Sequence, residues 1–110
     1  MFAMSMYVDL LSSALDTWID ELTGGALIEY ALSCRAEMLR VGPHRGDTAY
    51  SSLAAEIAYD RALIKLCQTN EVPVMATSFV YPRDERARLE GELATAGVDL
   101  AALALRRRGA

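Results

Sequence analysis

One histidine, two cysteines, three prolines and a single lysine are spread over 110 residues, and each scarcity closes off a class of function. Any histidine-based catalysis or metal site must use His44, yet no cysteine, histidine or carboxylate pair stands near it at metal-ligand spacing. No metal and no cofactor is therefore expected. Cys34 and Cys67 both fall inside helical patterns, away from a helix N-terminus or a basic neighbour on the same face, the settings that create reactive thiolates. They read as reduced packing thiols of a cytoplasmic protein, with a disulfide between neighbouring helices left open. No run of eighteen apolar residues exists to cross a membrane. The first 34 residues hold no lysine or arginine, so the start lacks the basic region of a signal peptide. Glycine-rich phosphate loops, serine or cysteine triad signatures and zinc-finger spacings are also missing.

What the chain does have is apolar material, 53% of its residues, ample for a core without metal or disulfide support. Net charge is −4, unevenly placed: residues 1–34 carry five acidic side chains, and the remainder eleven basic and ten acidic. An acidic chain repels nucleic acid and anionic membrane over most of its surface. Arginine displacing lysine, with abundant alanine, reads as the coding bias of a GC-rich bacterial genome.

Spacing of the apolar residues predicts an all-α fold, an irregular four- to five-helix bundle forming a single domain over residues 1–110, with 1–4 and 107–110 frayed. A first helix spans about Ser5 to Leu22, with Val8, Leu11, Leu15, Trp18, Ile19 and Leu22 on one face. Gly24 and Gly25 follow as its left-handed cap and turn. A second runs from about Ala26 to Val41 on a seam of Leu27, Ala31, Cys34, Met38 and Val41, broadened by Ile28 and Leu39. Pro43 and the Val41-to-Asp47 loop separate it from the third. That third helix, Asp47 to Gln68, is apolar on two opposite sides. Tyr50, Leu53, Ile57 and Ile64 form one stripe, and Ala55, Tyr59, Ala62, Leu63 and Leu66 the other, so the helix belongs between partners. Residues 72–81 read as an extended strap held by Phe79 and Tyr81. Pro82 starts a fourth helix, with Leu89 and Leu93 its core positions. Gly97 closes that helix with Val98 touching Leu93, and Asp99 caps a short last one.

Three functional expectations follow. The first is a non-catalytic interaction or regulatory module, with a protein partner or a second copy meeting a surface around Tyr59, Leu63, Leu66, Phe79 and Tyr81. A nucleic-acid-associated regulator using Arg83, Arg86, Arg88 and the Arg106-Arg107-Arg108 cluster is the first alternative. A small enzyme or ligand pocket around His44, Glu56 and Asp60 is the second, since acid–base work needs paired carboxylates in a cleft. Against it, Glu56 and Asp60 are expected to form an interhelical ion-pair network with Arg35, Arg40 or Arg61. The tripeptide Arg45-Gly46-Asp47 matches an adhesion motif, but the turn explains its glycine and helix capping its aspartate.

Overall fold

Apolar side chains recurring every three and four residues give the chain five α-helices and no strand among the described residues, which are 6–16, 22–41 and 49–109 of the computed structural model. They are α1 (Met6–Asp16), α2 (Gly24–Arg40), α3 (Ala49–Thr69), α4 (Pro82–Thr95) and α5 (Leu100–Gly109), with a 3₁₀ segment, Ala76–Val80, between α3 and α4. The all-α expectation holds. His44, the Arg45-Gly46-Asp47 tripeptide, Trp18 and Ile19 lie outside the described residues.

The middle of the molecule is α3, on which α1, α2 and α4 all pack. Of its stripe, Tyr59, Ala62, Leu63 and Leu66 share one buried cluster with Leu11, Leu27, Phe79, Leu89 and Leu93, and Ala55 is also buried. Each fully buried leucine or phenylalanine contributes on the order of 1.5–3 kcal/mol. The opposite stripe is covered only in part: Ile64 is buried, whereas Leu53 and Ile57 are half-buried. The third helix is thus enclosed most fully on the flank that the sequence offered as a partner surface.

Local chemistry sets the boundaries. The described part of α1 runs to Asp16, and residues 17–21 of the expected first helix lie outside the described residues. The glycine pair opens α2 instead of ending the first helix. Gly24 takes φ +53°, a left-handed value that side chains resist, and the Thr23 carbonyl accepts from the amides of Ala26 at 3.1 Å and Leu27 at 3.3 Å. Leu32, outside the expected α2 seam, is buried, while Leu39 is exposed. Ser52 Oγ donates to the Val41 carbonyl at 2.7 Å and ties the start of α3 to the end of α2.

Both α3 and α4 end in the same closure. Val72 N donates to the Cys67 carbonyl at 2.8 Å, and Val98 N to the Leu93 carbonyl at 2.8 Å, each across a left-handed residue. At the second closure that residue is Gly97, as expected; at the first it is Glu71, at φ +60°. Residues 72–75 have no regular secondary structure, with Met75 extended, and the strap then tightens into the 3₁₀ segment, which buries Phe79 and leaves Tyr81 73% exposed. Only one of the two aromatic anchors holds it. Pro82 occupies the first turn of α4, with Asp84 and Glu85 there to complement the helix dipole. Asp99 caps α5 through its Oδ1, which accepts from Ala102 N at 3.1 Å.

Candidate functional site

Two consecutive residues on α3, Tyr59 and Asp60, each lead into a polar cluster. Asp60 is completely buried, in a position where an unpaired carboxylate would be severely destabilising. Arg86 on α4 answers it with two contacts, Nε to Oδ1 and Nη2 to Oδ2, both 2.7 Å, and Tyr7 of α1 donates its hydroxyl to Oδ2. The same Arg86 Nη2 reaches Glu56 Oε1 at 3.1 Å, one turn back along α3. The second cluster joins the Tyr59 hydroxyl and Arg35 Nε, at 3.2 Å, to Glu90 Oε2. Three helices are therefore keyed to α3 by polar contacts: α1 through Tyr7, α4 through Arg86 and Glu90, and α2 through Tyr30, which accepts from Arg61, and through Arg35 on the shared Glu90.

Electrostatics follow from this enclosure. Burial pushes the Asp60 carboxyl up, against the hydrogen bonds and charge of Arg86. Burial opposes the Arg86 charge too, but Asp60 and Glu56 together hold that guanidinium protonated beyond its ordinary range. Burial first, then the Asp60 charge, raises Tyr7; burial and Glu90 raise Tyr59 in the same way. Cys67 is buried, and its thiol is pushed up to about 12, so it is inert at neutral pH. Cys34 is half-buried and also raised, chiefly by burial; both cysteines are free, which settles the pairing left open by the sequence.

The expected carboxylate pair thus exists, with a different partner. Glu56 and Asp60 meet Arg86, not Arg35, Arg40 or Arg61. Arg35 goes to Glu90, Arg40 to Glu37 of its own helix, and Arg61 Nη2 to the Tyr30 hydroxyl at 2.9 Å. Asp60 accepts three hydrogen bonds and is fully buried, so its carboxylate does not face solvent. His44 lies outside the described residues, so no pocket joining it to Glu56 and Asp60 is described. No group of three or more potential metal ligands occurs among the described residues.

The predicted partner surface is largely interior. Tyr59, Leu63, Leu66 and Phe79 are buried by the fold itself, because α3 supplies the core with that flank; Tyr81 alone of the five is on the surface. The nucleic-acid set is also dispersed. Arg86 is engaged inside the bundle, and Arg88 Nη2 holds Glu85 at 2.6 Å, while Arg83 is exposed. Arg107 Nη2 contacts Ser33 Oγ at 3.1 Å and Glu29 at 3.7 Å.

Open apolar surface lies elsewhere. Between α2 and α5 runs a groove of about 920 Å³, floored by Leu32, Ala36, Ala101 and Ala104. Its two banks are Leu39, 62% exposed, and Leu105, 68% exposed. Ser33, Arg35, Glu37, Arg40 and Arg107 also line the groove. A smaller hollow of about 290 Å³ lies between α1 and α3, lined by Leu10, Ala14, Leu53, Ile57 and Arg61 among others. Sequence periodicity pointed to Leu39 as a core residue and passed over Leu105. The available signal was that α5 has too little polar surface opposite its leucines for a solvated helix. The chain matches no known family model, no curated protein and no solved structure. Among the described residues no helix is long and apolar enough to cross a membrane.

Proposed function

We propose that this chain is a small cytosolic, non-catalytic interaction or regulatory module, whose binding surface is the groove between α2 and α5. One observation carries the reading: two leucines stand well into solvent on facing helices, across a floor of small apolar side chains. Apolar side chains grouped on an open concavity mark a partner site more often than a solvated face. Among the described residues, the candidate carboxylates Glu56 and Asp60 are engaged by Arg86 in holding helices together, which favours binding over chemistry.

The test places a photo-crosslinking residue at Ala101, inside the groove, and separately at Thr95, an exposed position on α4. Crosslinks to protein from position 101, lost when Leu39→Asp is added, support the reading. Equal labelling from both positions, or none from 101, overturns it.

A further inference from the structure

The first and last helices are electrostatic opposites, and each leaves an apolar face uncovered. The α1 segment contains Asp9 and Asp16 and no basic residue; its outer face presents Met6, Asp9, Leu10 and Ser13 at helical spacing. Met6 is 71% and Leu10 39% exposed. The α5 segment contains Arg106, Arg107 and Arg108 and no acidic residue, and it presents Leu105. Within one molecule the two helices have different neighbours: α1 packs on α3 and the 3₁₀ segment, α5 on α2 and α4.

Resting on the reading of the α2–α5 groove as a binding surface, the geometry points to its occupant: the outer face of α1 from a second copy. Met6 and Leu10 form a ridge one helical turn long, which lies between Leu39 and Leu105 of the next molecule. Asp9 then faces the arginine-rich end of α5. The charged residues that line the groove are Arg35, Arg40 and Arg107 against Glu37, and Arg106 is exposed next to Arg107 on α5. The surplus is positive, in a chain whose net charge is −4. A symmetric dimer whose axis passed near the end of α5 would set Arg106 and Arg107 against their own copies, and like charges across an interface are disfavoured. An acidic helix removes that conflict, and this chain carries one. The contact is head-to-tail, so each copy uses one surface as donor and a different one as acceptor.

Such an interface is testable by complementation. Leu10→Lys spoils the α1 ridge and leaves the groove intact; Leu105→Lys spoils the groove and leaves the ridge intact. Leu105 is 68% exposed and Leu10 39%, so folding of each variant is checked by circular dichroism, and Met6→Lys, at a position 71% exposed, serves as a second ridge variant. Mass is read by light scattering from low micromolar to near-millimolar protein. The expected result is concentration-dependent assembly of wild type, weakening about tenfold between roughly 0.05 M and 0.5 M salt. Each variant alone is monomeric, and an equimolar mixture forms a one-to-one heterodimer. Wild-type assembly that survives both substitutions overturns this contact while leaving the module reading intact. Two variants that stay monomeric when mixed also overturn it. A wild-type chain that is monomeric throughout rules out the second copy, and the groove reading then stands or falls on crosslinking from position 101 alone.

Discussion

The α3–α4 seam and the α2–α5 seam use the same residue types for opposite ends. At the first, Asp60, Arg86 and Glu56 are drawn together inside the bundle and flanked by buried Leu89 and Leu93. At the second, Glu37 and Arg40 pair at 2.7 Å on an exposed turn, beside Leu39 and Leu105, which are 62% and 68% exposed. An ion pair in water adds little, because solvent screens it and two long side chains lose freedom. An ion pair sealed from water sets helix register, since any slip leaves a buried charge unanswered. One seam specifies the fold; the other is left over for binding.

The largest effect that would separate the seams comes from Asp60→Ala. It leaves Arg86 in the interior without its main partner, so stability should fall by about 3–5 kcal/mol in urea unfolding. Loss of under about 1 kcal/mol would mean that water reaches the pair. Leu93→Ala, at the apolar part of the same seam, should lower stability by about 2–5 kcal/mol through lost burial and a residual cavity. Across the molecule, Glu37→Ala should leave the unfolding midpoint within error of wild type, because that carboxylate is fully solvated.

Alkaline pH sharpens the contrast from another side. Cys67, Tyr7 and Tyr59 are all raised by burial, Cys67 to about 12. Each binds its proton more tightly folded than unfolded, so their contribution is complete below pH 9 and fades as pH climbs toward 12. Melting temperature should therefore drop steadily from pH 9 to 11, and Cys67→Ala should flatten the part of that slope that belongs to the thiol. A flat profile in wild type would show that these groups are open to solvent. One substitution should bring a gain: Glu71→Gly frees a left-handed position and should stabilise by about 1 kcal/mol.

The two helix closures show what was readable from residue types and what was not. Gly97, Val98 and Asp99 announce a left-handed cap, an apolar contact and a new helix start, because each residue has one strong local use. Glu71 announces nothing. Its left-handed turn is imposed by the burial of Val72 beneath the end of α3, a tertiary demand that overrides local preference. The same division runs through the candidate site. A carboxylate pair four apart on α3 was legible from spacing, as was its fate in an ion network. Its partner was not, since Arg35, Arg40, Arg61 and Arg86 are equivalent until the helices have docked. The two-sided character of the third helix was also visible, but periodicity carries no label for inside and outside. The stripe with Tyr59 and Leu63 went to the core, and the surface fell to Leu39 and Leu105, which a helical wheel ranks no differently from buried leucines.

The most direct test of the division between a folding seam and a binding seam is a backbone amide NMR titration with protein concentration. Shifts that move at Met6–Ser13, Ala36–Arg40 and Ala101–Arg107, while Tyr59–Leu66 and Leu89–Leu93 stay fixed, are the predicted result. Shifts centred on Leu53 and Ile57, with the α2–α5 groove silent, would contradict it.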